Sequence, residues 1–261
     1  MSANSGASRG APSIYFSFGV TKTGSTLAYR MARHFLECRG HSQALLPDHL
    51  QLIRKDLNSW SQANHELLEE ISDWVAERGI FLALKTHRAP TPLVRRMLKE
   101  GRAMGHATYR DPREIALSLV DHGRESQQRG QNPVRFRDLN DATDSLDLIE
   151  RQLGIFDRWE GLPKIETWYY DDFAFNADLS FDKLARQTGL KPLTKAEREA
   201  FDGTAGTKFN KAIQHRWKSE LTDEESAEFK TRFGEFYRRL WLRRLDWRSR
   251  PLARAARKVF G

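Results

Sequence analysis

From Ser13 to Arg33 the chain reads SIYFSFGVTKTGSTLAYRMAR, in which a short apolar run meets a Gly/Thr/Ser-rich loop and then an amphipathic helical pattern. Few arrangements accept a strand that turns through small residues directly into a helix. Such a turn brings several backbone N–H groups and the positive end of the helix dipole onto one point, which suits a bound oxyanion. Gly19 to Ser25 nearly spells the phosphate-loop pattern G-x-x-x-x-G-K-[ST], but Ser25 follows Gly24 where that pattern has lysine. The lysine sits inside the loop instead, as Lys22. That displacement places the charge over the distal end of a ligand, so the bound group is expected to differ from an ATP tail.

Beyond this loop the elements alternate in type. Strand-like runs occur at Ser13 to Val20, Gly79 to Lys85, Gly105 to Tyr109 and Lys164 to Trp168. Helical periodicity occurs at Ser25 to Cys38, Ala63 to Arg78, Pro92 to Lys99, Pro112 to Asp121, Ser145 to Trp159, Phe181 to Thr188 and Asp223 to Leu245. The alternation predicts an α/β fold, a single domain with a central parallel β-sheet flanked by helices and similar to phosphate-loop NTPases. Residues 1–12 read as a disordered N-terminal segment, 13–261 as the domain, and 238–261 as a basic C-terminal helix or tail. Gly123 to Thr143 is polar and reads as a mobile loop.

In such sheets ligands sit beyond the carboxyl ends of the strands, so chemically suggestive residues should fall just after strands. They do so four times, at Lys22 to Thr26, Lys85 to His87, Arg110 to Arg113 and Tyr170 to Asp172. Lys85 and His87, two apart on extended chain, point to one side, where a lysine stabilises anionic charge while a neutral imidazole takes a proton. Arg110 offers a bidentate fork for a phosphate, and Ser118 lies two turns along the helix that follows. Those two residues are equally compatible with a capping ion pair of Arg110 with Asp111 or Glu114 and a small packing serine.

With 261 residues and 39% hydrophobic side chains the chain can bury a substantial core. Its single cysteine, Cys38, excludes an internal disulfide framework. The first thirteen residues hold no apolar run of the secretory type, and the longest apolar stretches are strand-sized, so a cytoplasmic protein is expected. A net charge of +8 favours anionic partners without choosing among them. Much of the excess lies between Arg238 and Lys258, interleaved with Leu and Trp, a pattern that fits a solvated basic helix or a peripheral membrane contact. No zinc-like Cys/His spacing and no magnesium-type acidic cluster occurs, so the chemistry is expected to run without a metal.

The order and spacing of these motifs resemble the sulfotransferases that use 3′-phosphoadenosine 5′-phosphosulfate (PAPS), over most of the chain from Ser13 to about Lys218. In that family the first loop binds the 5′-phosphosulfate, and it appears here as Lys22-Thr23-Gly24-Ser25-Thr26. Lys85-Thr86-His87 resembles the family's Lys-x-His, whose histidine acts as the base. Arg110 and Ser118, eight residues apart, match the pair that clamps the 3′-phosphate, and Tyr170-Asp171-Asp172 matches a Tyr-Glu-Asp that places its tyrosine near the adenine. There are two departures: Leu27 stands where an aromatic residue stacks on the base, and Asn210-Lys211-Ala212 replaces Arg-Lys-Gly. Lys211 carries over as a phosphate ligand, with Lys208 or Arg216 as substitutes for the missing arginine.

The resemblance implies in-line transfer of a sulfonyl group to an acceptor hydroxyl, with adenosine 3′,5′-bisphosphate leaving. His87 would take the hydroxyl proton while Lys22 and Lys85 stabilise the transferring oxygens. A saccharide or glycolipid is one candidate acceptor and a small phenol or alcohol another, and no nucleic acid is expected as partner. Two other classes compete: a phosphate-loop kinase or NTPase using ATP, and a non-enzymatic binder of anionic surfaces built on the arginine-rich tail.

Overall fold

The computed structural model describes residues 13–50, 57–60, 65–130, 136, 138–201 and 213–240. The expected disordered segment 1–12, Lys208, Lys211 and the tail from residue 241 lie outside the described residues. The chain divides into two compact units, one of residues 1–110 and 151–214, the other of residues 111–150 and 215–261.

The first unit holds β1 (Ile14–Gly19), α1 (Ser25–Cys38), β2 (Ser59–Trp60), α2 (His65–Glu77), β3 (Leu82–Thr86), α3 (Pro92–Lys99) and β4 (Ala103–Tyr109). After an excursion into the second unit it resumes with β5 (Ile165–Tyr169) and three more helices. Between them come α4 (Pro112–Gln128) and α5 (Leu146–Trp159), and β5 leads into α6 (Tyr170–Phe175), α7 (Ala177–Thr188) and α8 (Lys195–Glu199). From Arg151 onward α5 belongs to the first unit. The sheet is five-stranded and parallel throughout, in the order β2-β3-β1-β4-β5, as the alternation of elements predicts. Every residue of β1 is buried, as a strand covered on both faces requires.

Strand alternation sorts the side chains into two layers. Phe16 and Phe18 face Trp159, the latter ring stacked at 5.3 Å, and Tyr109 meets Phe156 on the same side. On the other side Tyr15, Ala83, Met104 and Trp168 form one core with Leu27, Tyr29, Met31, Phe35 and Leu36 of α1 and with Phe181 and Leu184 of α7.

The second unit holds α4, α9 (Trp217–Glu220) and α10 (Asp223–Arg232). Asp111 caps α4 by accepting from the Arg113 N–H, and its carboxylate also takes the Arg113 guanidinium at 2.7 Å and the Tyr237 hydroxyl at 3.0 Å. That guanidinium lies 3.5 Å from the centre of the Trp217 ring. Helix α4 continues past Asp121 into the stretch expected to be a loop. Its buried face runs Leu119, Val120, Gly123, Ser126, so the periodicity persists in small and polar residues that an apolar pattern does not register. Helix α10 ends at Arg232 rather than running on unbroken toward Leu245, because Phe233 leaves helical geometry with φ −112° and ψ 22°. The two-residue β2 and the single-turn α9 are too short to carry a period of their own.

One polar chain crosses the α1 side of the sheet. The Gln187 side chain donates to the carbonyls of Gly105 and Lys164, at 2.6 and 2.9 Å, and accepts from the Tyr15 hydroxyl at 2.9 Å. Tyr15 therefore accepts from His106 Nδ1 at 3.1 Å, which leaves Nε2 to accept from the Ser17 hydroxyl at 2.8 Å. Every donor finds an acceptor only if His106 is neutral. Burial, aided by the Lys183 charge, pushes its pKa down to about 3. The neutral ring thus contributes stability that is complete above the unfolded value of about 6.5 and lost as the pH falls toward 3. The difference between about 6.5 and about 3 is worth roughly 5 kcal/mol. Urea titrations at stepped pH should show the unfolding free energy falling between pH 6.5 and 4. A His106→Asn variant, lower in stability at neutral pH, should show a slope shallower by up to about 1.4 kcal/mol per pH unit in that window.

Candidate functional site

The strand order places a topological switch at β1, because the chain leaves β1 for β2 and β3 on one side and then crosses to β4 on the other. The crevice beyond the carboxyl ends of β1 and β4 is where ligands of such sheets bind. Register decides which residues face it. Ser17 pairs with Lys85 and His106, and His106 with Glu166, so these share the α1 side of the sheet, as do Gly19 and Thr108 one pleat further on. His87, Arg110 and Tyr170 continue the same alternation off the ends of their strands.

The loop after β1 turns through left-handed backbone at Lys22, φ 66°, and Gly24, φ 69°. Lysine pays a steric penalty there, so surrounding contacts must hold it. The loop is clamped from three directions. The Thr21 N–H donates to the Gln152 side chain at 2.8 Å. Thr23 donates its hydroxyl to the Val20 carbonyl at 2.6 Å and so accepts from the Thr108 hydroxyl at 2.7 Å. A Cβ on Gly19 would come within 2.4 Å of the Ser25 Cβ and 2.5 Å of the Thr108 hydroxyl, so the strand end lies flush against the helix start. Helix α1 begins at Ser25 with no side-chain cap and no acidic residue in its first turn. Its leading N–H groups are therefore presented without a competing carboxylate.

Lys85, 6% exposed, donates from Nζ to the Thr26 hydroxyl at 2.8 Å and so is tied to the first turn of α1. His87 approaches the Gly19 carbonyl through Nδ1 at 2.6 Å. A carbonyl only accepts, so Nδ1 carries the proton and the lone pair of the neutral ring lies on Nε2. The Trp159 indole donates to the Arg88 carbonyl at 2.8 Å and steadies this segment. Arg110 donates to the Lys22 carbonyl at 3.4 Å, and its guanidinium lies over the Tyr170 ring, 4.0 Å from the centroid. The structure thus brings Lys22, Thr23, Gly24, Ser25, Thr26, Lys85, His87, Arg110 and Tyr170 to the same end of the sheet.

Three further residues have surroundings of their own. Ser118 is buried on α4 in the second unit. Arg216, considered as a substitute phosphate ligand, is 3% exposed and paired within that unit, its guanidinium 2.8 Å from Asp121 and 2.7 Å from Glu220. Its Nε and Nη2 donors are engaged by those carboxylates. Leu27 is a core residue of α1. The sequence pattern passes over Thr108, Gln152 and Trp159, which bond the loop after β1 and the segment after β3; Thr108 lies one pleat before Arg110, and Gln152 and Trp159 lie on α5, which carries no motif.

Among the described residues no group of three or more His, Cys, Asp or Glu is gathered as a metal site, and no helix is long and apolar enough to cross a membrane. Comparison with solved structures finds sulfotransferases. The mouse sulfotransferase SULT7A1 complexed with PAP matches with a TM-score of 0.54 at 14% identity, over 86% of this chain and 84% of that one. Retinol dehydratase in complex with androsterone and inactive cofactor PAP matches at 0.48 and 14%, over 86% and 80%. The sulfotransferase from Alicyclobacillus acidocaldarius matches at 0.40 and 14%, over 72% and 88%. The likeness to the mouse protein shows that the chain has the fold of PAPS-dependent sulfotransferases. No protein-family model and no curated protein matches the sequence.

The His87 contact fixes a tautomer that nuclear magnetic resonance can read. Long-range ¹H–¹⁵N spectra of the neutral ring should show Nδ1 protonated and Nε2 bare; the opposite tautomer would mean that the Gly19 contact is not made in solution.

Proposed function

We propose that the chain is a PAPS-dependent sulfotransferase acting on an acceptor hydroxyl. The observation that carries this reading is that both strand-end groups are bonded to the residues flanking the loop, Lys85 to Thr26 in the first turn of α1 and His87 to Gly19 at the end of β1. A charge stabiliser and a base are thereby fixed relative to an anion cradle. The residues fit the cofactor: a loop with two left-handed residues, a helix start without a side-chain cap, and a nearly buried arginine at the next strand end.

Bound PAPS supplies the sulfonyl group, and adenosine 3′,5′-bisphosphate is what remains of it after transfer. The N–H groups of Gly24, Ser25 and Thr26 hold the 5′-phosphate; Thr23 contributes by shaping the turn, since its own N–H reaches the Val20 carbonyl at 3.3 Å and its hydroxyl is engaged inside. Arg110 binds the 3′-phosphate as a bidentate fork. Nε2 of His87 accepts the proton of the acceptor hydroxyl, and the imidazolium that results keeps its Nδ1–H on the Gly19 carbonyl, so the ring does not turn as it charges. Lys85 and Lys22 offset the negative charge that builds on the transferring oxygens. Ser118 and Lys211 are assigned to cofactor binding on the resemblance alone. The saccharide or glycolipid acceptor, and a membrane contact through the tail, rest on the basic composition.

Mass spectrometry of acceptor pools incubated with PAPS tests the transfer. His87→Ala should lower turnover by at least about 10²-fold, the scale of a lost general base, with bisphosphate affinity kept within a few-fold. Arg110→Ala should instead weaken the bisphosphate by about tenfold or more in calorimetry, the scale of a lost charge-assisted hydrogen bond. Tighter binding of ATP with magnesium than of the bisphosphate would overturn the assignment.

A further inference from the structure

Tyr170 touches more of this site than any base contact requires. It opens α6 directly after β5, and Phe173 and Phe175 meet its ring edge-on at 5.6 and 6.3 Å. The ring also rests on the loop: a Cβ on Gly24 would come within 2.8 Å of its Cδ2 and Cε2. The Arg110 guanidinium lies over the same ring at 4.0 Å and bonds the loop at the Lys22 carbonyl. One aromatic plane is therefore packed against the loop and against the arginine.

A guanidinium lying over an aromatic face keeps its N–H donors directed outward in its own plane, where they match the two oxygens of a phosphate. Unsupported, the same arginine would have to be ordered from several rotamers on binding. We propose that Tyr170 is a positioning residue that sets selectivity for the 3′-phosphate of the nucleotide, by holding the Arg110 fork ready and indexing it to the 5′-phosphate loop through Gly24. This rests on the sulfotransferase reading and moves the tyrosine from contact with the base to support of a phosphate ligand. Glycine at position 24 is part of the device, since any side chain there would push the ring away from the loop.

Calorimetry with adenosine 3′,5′-bisphosphate and adenosine 5′-monophosphate tests it, the readout being the ratio of the two dissociation constants within each protein. Tyr170→Leu should cut the preference for the bisphosphate about tenfold while moving the monophosphate affinity less than threefold. Tyr170→Phe, which keeps the ring, should restore at least half of the wild-type preference. Adding Tyr170→Leu to Arg110→Ala should reduce the ratio no further, because the two act as one unit. Arg110→Lys leaves Tyr170 in place, and should lose most of the preference because an ammonium offers no planar fork for the ring to hold. Equal weakening of both nucleotides by Tyr170→Leu would mean a base contact and overturn the proposal, as would additive losses in the double variant or a preference retained by Arg110→Lys. A wild-type protein without preference for the bisphosphate would overturn the sulfotransferase reading and this inference with it, whereas a wild-type preference that survives Tyr170→Leu would overturn this inference alone.

Discussion

The pairing of β1 with two parallel neighbours is the constraint from which the rest follows. Because β1 is hydrogen-bonded to β3 on one side and β4 on the other, Gly19, the end of β3 and the end of β4 are fixed against one another by backbone ladders. A slip of one residue in any of these ladders would turn the α1-side residues to the opposite layer, carrying Lys85 and His87 away from the loop. The layer beneath makes such a slip costly. Phe16 and Phe18 would have to leave Trp60 and Trp159 and enter the side now filled by α1. Placement of the chemical groups is thus enforced by core packing several ångströms away from them.

Much of this was legible from residue order. The strand-loop-helix at the start is unambiguous because three signals coincide within twenty residues: an apolar run, small loop residues, and a periodic helix beginning at Ser25. Helices α1 and α3 have the limits that the sequence suggests, since each has a strong apolar stripe and a clear stop. The grouping of Lys85, His87 and Arg110 at one sheet end was legible too, because parallel strands put their carboxyl ends together whatever their order.

What was not legible has physical causes. Helix α4 hides its last turns because Gly123 and Ser126 occupy buried positions that an apolar count passes over. Arg216 resembles a phosphate ligand in a basic stretch, yet its partners Asp121 and Glu220 lie on either side of it in sequence, one of them 95 residues away. Charge density along a chain does not show which cations are already paired. Thr108, Gln152 and Trp159 carry no motif at all; their hydrogen bonds depend on which elements become neighbours, a property of the topology.

The polar chain from Ser17 through His106 and Tyr15 to Gln187 has a consequence for how this sequence can drift. Each member is satisfied by the next, so replacing one with an apolar residue strands its neighbour, while replacing all four at once demands coordinated changes on β1, β4 and α7. Intermediates along that route are each worse than either end. The four positions are therefore coupled: a change at one is tolerated only together with changes at its neighbours, whatever becomes of the loop after β1.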